Sequence, residues 1–277
     1  MPELPEVERA RTLLEERALG REVVTVDDSD GYVTRPHGPG EISDALVGRT
    51  FTAARRIGKS MWLETDGGDG PELGLHLGMA GRIVIGEESG GDPVYGGSGG
   101  SQADHTEGDP TWHRFTVRFA DGGPPLVLFD KRRLGRAVLN PDHSHLGPDA
   151  QEITRDEFRA RVGRGGGPLK ARIMDQSVLA GVGNLLADEA LWRAHLSPLR
   201  PAGELTDEEL DRLRRSIRAT TRRAIERGGV HTGDLIPHRT RGDGICPSCG
   251  AELVHAQVGG RTTWWCPVEQ PGPRPQR

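Results

Sequence analysis

After Pro5 the chain sets Val7, Ala10 and Leu14 on one helical face, carries acids in its first turn and meets Gly20, so an amphipathic helix is predicted over 6–19. The period then changes. Short apolar runs with two-residue alternation follow at Val23–Val26, Met61–Leu63, Gly81–Ile85, Phe115–Phe119 and Leu126–Phe129. Turn-forming residues separate them, which predicts an antiparallel β-sandwich or barrel. Residues 86–110 are rich in Gly, Ser and Asp with almost nothing to bury, and are predicted to form a flexible insertion between two strands. From Thr154 the spacing is helical, through "TRDEFRARV", "PLKARIMDQSVLA", "NLLADEALWRA" and "TDEELDRLRRSIRATTRRAIERGG". The last segment has Thr206 as N-cap, Glu209 as its capping-box partner, and Gly228 and Gly229 to close it. The expected class is α+β and multidomain. A sandwich domain is expected over 1–140, a linker over 141–153, a helical domain over 154–238, a cysteine-bearing hairpin unit over 239–270 and a tail over 271–277.

Composition narrows the class. At 277 residues the chain can bury two ordinary cores, and aromatics at 4% make those cores mainly aliphatic. No apolar run is long enough to span a bilayer and no secretory leader is visible, so a soluble cytoplasmic protein is the expectation. Of the 3 cysteines, two form a CxxC, which suits a metal site in a reducing compartment better than a disulfide framework. A net charge of −5 argues against a uniformly basic nucleic-acid binder but leaves room for a local basic face.

Four stretches carry chemistry. "MPELPEVE" places Pro2 behind an initiator methionine of the kind usually trimmed, which would leave a secondary amine at the terminus. An α-amino group titrates near pH ~8, so part of it is an unprotonated nucleophile at neutral pH, whereas proline at the start of a helix also costs nothing. "LAGVGNLLADEAL" joins two helices through Gly181 and Gly183, which can take positive φ, with Asn184 as the expected N-cap. Such a hairpin points backbone N–H groups and a helix N-terminus outward, ready for a phosphate. "FDKRRLGR" concentrates Lys131, Arg132, Arg133 and Arg136 beside Leu134, either a solvated turn or a wedge with phosphate clamps. "CPSCG" and "WWCP" supply Cys246, Cys249 and Cys266 at a zinc-hairpin spacing, with glutamate at 269 where a fourth cysteine is due. Either Glu269 or His255 completes a tetrahedral site, or the hairpin holds no metal and rests on Trp264 and Trp265.

Taken in order, PELPEVE, "LHLGMAGR" at 75–82, "DKRRLGR" at 130–136, "MDQSVLAGVGNLLADEAL" at 174–191 and "GGRTTWWCP" at 259–267 resemble the formamidopyrimidine-DNA glycosylase and endonuclease VIII family from residue 2 to about 270. The resemblance implies an N-terminal β-sandwich, a helix-two-turn-helix domain and a zinc-finger hairpin. It also implies a monomer acting on damaged double-stranded DNA, with base excision and strand cleavage by one enzyme. Pro2 then corresponds to the nucleophile, Glu3 to the general acid and base, Glu6 to a supporting carboxylate and Lys59 to a phosphate-contacting lysine that assists elimination. Met79, Arg132 and Leu134 correspond to the residues that fill the space of an extruded nucleotide; the third is commonly phenylalanine in the family. Lys170, Asn184 and Arg261 correspond to phosphate-binding positions, and Arg133 is a further candidate.

The span 230–245 is shorter than the loop that covers a flipped 8-oxoguanine in the family members specialised for it. Formamidopyrimidines, oxidised pyrimidines or abasic sites are therefore the expected substrates, an order that a lesion panel reads directly. Two other readings are a non-catalytic protein that binds lesions or abasic sites on the same scaffold, and a regulatory zinc-finger protein that binds undamaged duplex. The second lacks a recognition helix and leaves Pro2 and Glu3 unexplained.

Overall fold

In the computed structural model, which describes residues 2–91, 109–239 and 242–272, the chain divides into two bodies. Pro2 and Glu6–His143 belong to the first, and Glu3–Pro5 and the residues from Ser144 onward to the second. The first helix, α1 (Leu4–Arg17), starts two residues earlier than its apolar spacing suggests and ends two earlier.

The first body continues through β1 (Val23–Asp27), the short α2 (Gly31–Thr34) and α3 (Glu41–Leu46), β2 (Phe51–Ile57), β3 (Ser60–Thr65), β4 (Leu73–His76), β5 (Arg82–Ile85), β6 (Glu88–Gly91), β7 (His113–Phe119), β8 (Leu126–Phe129) and β9 (Arg136–Leu139). The strands form two antiparallel sheets, one ordered β1-β7-β8-β5-β6 and the other β2-β3-β4-β9. Val23, Ile83, Phe115, Val117 and Leu128 from the first sheet and Phe51, Met61, Leu63, Leu75 and Ala137 from the second meet in one core, which Val7, Ala10 and Leu14 of α1 join. The expected sandwich is therefore present. Strands β2, β4, β6 and β9 carry weaker signals, because arginines, glycines or very short runs interrupt their alternation.

The expectation for 86–110 needs correction at its start. Glu88–Gly91 is a strand paired with β5, with Gly90 and Gly91 buried. A Cβ on Gly90 would lie 2.5 Å from the Cα of Ala10, so α1 rests against strand backbone where only glycine fits. A segment read as too polar to bury anything is buried because it has no side chains to obstruct the helix. Residues 92–108 of that insertion, and 273–277 of the expected tail, lie outside the described residues.

The second body holds α4 (Arg155–Val162), α5 (Leu169–Met174), α6 (Asn184–Arg193), α7 (Asp207–Arg227) and the hairpin β10 (Val254–Val258) and β11 (Arg261–Trp265). Helix α7 has the expected capping box, with Thr206 and Glu209 reciprocally bonded, and ends at Gly228 with φ 102°. Leu4, Phe158, Leu169, Ile173, Leu186, Leu191, Leu213 and Ile217 share this body's main core. A smaller cluster of Leu235, Cys246, Leu253 and Cys266, with Trp192 and Trp264 against it, seats the cysteine hairpin. Among the described residues no helix is long and apolar enough to cross a membrane.

Replacing Gly90 by alanine is expected to cost about 1–3 kcal/mol, the usual range for overpacking a filled site. Chemical denaturation would read it, and an unchanged midpoint would mean that β6 does not lie against α1.

Candidate functional site

The second body is organised around a carboxylate. Glu3 is 1% exposed. Its Oε2 accepts from the backbone N–H of Gly183 and of Leu186, both at 3.0 Å, and its Oε1 accepts from Leu185 N–H at 2.8 Å. These are orphan donors of the first turn of α6, and the positive end of the helix dipole adds to the attraction. The N-terminus expected to receive a phosphate thus receives Glu3. Asn184 is correspondingly not the N-cap: it is the first helical residue, behind Gly183. Gly183 is required for room and not for positive φ, since its φ is −115° and a Cβ there would lie 2.2 Å from Glu3 Cδ. Gly181 does take φ 107°, and its carbonyl accepts from Leu4 N–H at 3.1 Å.

Behind this turn lies a buried ionic cluster. Lys170 and Asp188 are both buried, with Nζ 2.6 Å from Asp188 Oδ1 and Arg239 Nη2 3.1 Å from Asp188 Oδ2. Burial pushes the lysine down and the aspartate up, each against the other's charge. Lys170 is therefore not a surface phosphate ligand, contrary to its expected role. Arg261 does lie exposed at the hairpin tip, where Gly259 and Gly260 take φ 57° and 71° as a two-residue turn requires.

Cys246, Cys249 and Cys266 converge, their sulfurs all within 4.8 Å of one another, and Cys249 and Cys266 are 3.5 Å apart. Thiolates on a tetrahedral zinc with bonds of ~2.3 Å stand about 3.8 Å apart, so these three fit three corners of a metal site. The structure does not bring the two proposed fourth ligands to it. Glu269 directs Oε2 to His195 Nδ1 at 2.9 Å and Oε1 to Ser248 Oγ at 3.1 Å, while His255 stacks on Trp264 with ring centres 4.5 Å apart. Spacing alone could not foresee that competition, since His195 is remote in sequence.

In the first body, Pro2 and Glu6 are buried. Lys59 occupies the two-residue turn between β2 and β3, behind Gly58 with φ 58°. Its charge bears on His76, a residue not singled out from the sequence although it lies inside the LHLG motif. The His76 Nδ1 accepts from Gly78 N–H at 3.0 Å, so the neutral ring carries its proton on Nε2. The ring keeps some surface open to solvent yet is crowded by protein atoms, and that desolvation first, then Lys59, holds its pKa below the ordinary histidine value.

The DKRRLGR loop wraps a second buried carboxylate. Asp130 is 0% exposed and accepts from the N–H groups of Arg132, Leu134 and Gly135 at 2.7–2.8 Å. Gly78, with φ 59°, lies so close that a Cβ would be 2.4 Å from the Leu134 carbonyl carbon, which brings the Met79 loop alongside. Met79 and Leu134 are 44% and 38% exposed, and Arg132 Nη1 is 3.9 Å from the Met79 sulfur. The three expected space-filling residues are thus side by side at the surface. Arg133 is not with them. It adopts φ 56° and grips Asp30 through Nε at 3.0 Å and Nη2 at 2.6 Å. Against the cost of burying Asp30, that guanidinium holds its carboxyl below the usual range, so Arg133 braces the loop and is not a free clamp.

Comparison with known proteins places this arrangement. Residues 1–137 match the model of the formamidopyrimidine-DNA glycosylase N-terminal domain, and residues 146–234 that of the formamidopyrimidine-DNA glycosylase H2TH domain. The formamidopyrimidine-DNA glycosylase of Salinispora arenicola is 33% identical over 99% of this chain and 98% of its own length. The Arabidopsis thaliana protein of the same name is also 33% identical, over 98% of this chain and 71% of its own. Among solved structures, the Thermus thermophilus MutM (Fpg) protein superposes with a TM-score of 0.75 at 30% identity, covering 98% of this chain and 100% of that one. The Lactococcus lactis Fpg in complex with DNA containing FAPY-dG gives 0.76 at 26%, covering 97% and 100%. On both the sequence and the fold, the chain belongs to the formamidopyrimidine-DNA glycosylase family.

Proposed function

We propose that this chain is a DNA glycosylase of base excision repair that also cleaves the strand at the resulting abasic site, with Pro2 as nucleophile. The observation that carries the reading is the Glu3 carboxylate, adjacent in the chain to Pro2 and held by three backbone N–H groups of the α6 turn.

Once Met1 is removed, the Pro2 nitrogen has a lone pair. That pair forms a bond to the sugar C1′ as the bond from C1′ to the damaged base breaks, its electrons leaving with the base. The proton that the Pro2 nitrogen gives up on bonding to C1′ passes to the Glu3 carboxylate and from it to the ring oxygen, the departed base takes a proton from water, the ring opens, and a cationic imine joins Pro2 to C1′. The imine acidifies C2′. Loss of a C2′ proton to the Glu3 carboxylate expels the 3′ phosphate, breaking the C3′–O bond, and hydrolysis of the imine then frees Pro2. Lys59, and His76 through its Nε2 proton, are suited to phosphate oxygens near the reacting sugar. Met79, Arg132 and Leu134 fill the stack left by the extruded nucleotide, whose unstacking costs a few kcal/mol. Asn184 and Arg261 bind the backbone of the duplex.

Zinc on Cys246, Cys249 and Cys266 would be structural. It would stiffen the hairpin that carries Arg261 and take no part in the chemistry. The apolar cluster around Cys246 and Cys266, together with Gln270, whose Nε2 donates to Leu196 O at 2.9 Å, supports the same hairpin.

Borohydride trapping on a duplex with one abasic site is expected to give a covalent adduct that disappears in a protein with an extra residue ahead of Pro2. An adduct that survives the blocked terminus would reassign the nucleophile, and none from the folded, processed protein would remove strand cleavage from the reading. Glu3→Gln is expected to fold and bind abasic duplex yet lose at least roughly 100-fold in base excision, the usual scale for a proton-transferring group. Gly183→Ala should disturb both folding and excision by displacing that carboxylate, and wild-type excision in either variant would sink the assignment. Elemental analysis is expected to find zinc that falls in Cys249→Ser but persists in Glu269→Ala. Loss of zinc in the glutamate variant would make Glu269 a ligand after all.

A further inference from the structure

Lys170 stands where a phosphate ligand was expected, but it has neither the surface nor the protons for that task. It is 0% exposed. Its ammonium ion-pairs with Asp188 Oδ1 at 2.6 Å and donates to Asn184 Oδ1 at 2.7 Å, Thr263 Oγ1 at 2.8 Å and the Thr262 carbonyl at 3.5 Å. An ammonium carries three protons and no lone pair, and the three acceptors with the aspartate beside them leave none for a nucleic-acid phosphate.

What the bonds do to the partners is the informative part. A cation on Asn184 Oδ1 permits only one orientation of that amide, with the oxygen turned inward and the NH2 group on the other side. Asn184 is half-buried in the first turn of α6, and its NH2 has no partner among the described residues. The second grip is on β11. The Thr263 hydroxyl accepts from Lys170 and donates to the Arg261 carbonyl at 3.0 Å, two residues back toward the hairpin tip. The third is on Asp188, whose other oxygen accepts from Trp264 N–H at 3.2 Å and faces Arg239. One buried cation therefore ties the α6 turn to the strand that carries Arg261.

We infer that Lys170 is a positioning residue. It aims the Asn184 amide outward and holds it in register with Arg261, so that both donors meet one phosphodiester backbone, while the lysine itself touches no nucleic acid. The inference rests on the reading of the chain as a protein that binds abasic and damaged DNA. It assigns the buried Lys170, Asp188 and Arg239 cluster a purpose that core packing alone does not give. Three charges taken out of water are costly, and apolar residues of the same volume would fill the space at least as well.

A direct contact and a positioning residue differ in salt dependence. Each phosphate neutralised by a cation adds roughly 0.9 to the slope of log affinity against log salt. Affinity for a duplex bearing a non-cleavable abasic analogue would be measured from about 50 to about 200 mM salt. Arg261→Gln, as a direct contact, should lower the slope by that amount. Lys170→Met should weaken binding roughly tenfold or more with the wild-type slope. Lys170→Gln, whose amide can still donate to Asn184 Oδ1, should recover part of the loss. A slope reduced in Lys170→Met as much as in Arg261→Gln, or an unchanged affinity, would overturn the proposal.

Should both lysine variants fail to fold, the wild-type protein still decides. Its lysines are Lys59, Lys131 and Lys170, so 15N-lysine spectra can isolate the Lys170 ammonium. That signal should stay protected from exchange and show no coupling to 31P when DNA is added, and a 15N–31P coupling on it would overturn the proposal. Wild-type protein that binds abasic and undamaged duplex alike would overturn the functional reading and this inference together. Intact discrimination with a failed slope test would overturn this inference alone.

Discussion

Everything at the amino terminus depends on three N–H groups that α6 cannot bond internally. A helix begins with unsatisfied donors, and here Gly183, Leu185 and Leu186 spend theirs on the Glu3 carboxylate. Hydrogen bonds to a charged acceptor are worth about 1.5–3 kcal/mol each, which is what allows a carboxylate to be 1% exposed at all. The same contact specifies the turn sequence. Glu3 approaches so closely that position 183 has no room for a Cβ, and Leu4 crowds position 181 in the same way. The GVGN turn is thus shaped by the side chain it holds, and the Glu3 carboxylate is placed by backbone groups that cannot rotate away.

The device recurs. Asp130 gathers the N–H groups of Arg132, Leu134 and Gly135, and Asp28 gathers those of Gly40, Ile42 and Ser43. In each case a buried acid converts a loop of otherwise unpaired amides into a rigid support. For the DKRRLGR loop this explains how exposed residues can be held in order. Arg132 and Leu134 project from backbone anchored on Asp130, and Arg133, with its side chain committed to Asp30, adds a second anchor. A loop ordered in this way gives up little further conformational entropy on meeting a partner.

The cysteine hairpin shows the limits of counting ligands. A missing fourth cysteine suggested that a carboxylate had taken its place. In space, Glu269 faces His195 and Ser248, and Gln270 does the fastening by closing hydrogen bonds with Cys266 and with Leu196. Three sulfurs remain close enough for one ion, set in a hairpin that also has an apolar seat of its own.

Local patterns were enough for the elements whose signals are local. The 3.6-residue period of α1, the capping box of α7 and the two-residue alternation of β7 and β8 all act within a few residues, and each element appears where the sequence predicts it to within two residues at its ends. Family motifs carried the resemblance for the same reason, since they are short and contiguous. What only the tertiary structure decided involves partners distant in the chain. β6 is a strand because α1 lies on its glycine; Lys170 is buried because Asp188, Asn184 and Thr263 close around it; Arg133 is braced because Asp30 lies opposite; and Asn184 is not a cap because Glu3 already is. A pattern along one segment records that segment's own preferences, whereas each of these outcomes is settled by a charge or a close approach supplied from elsewhere in the chain.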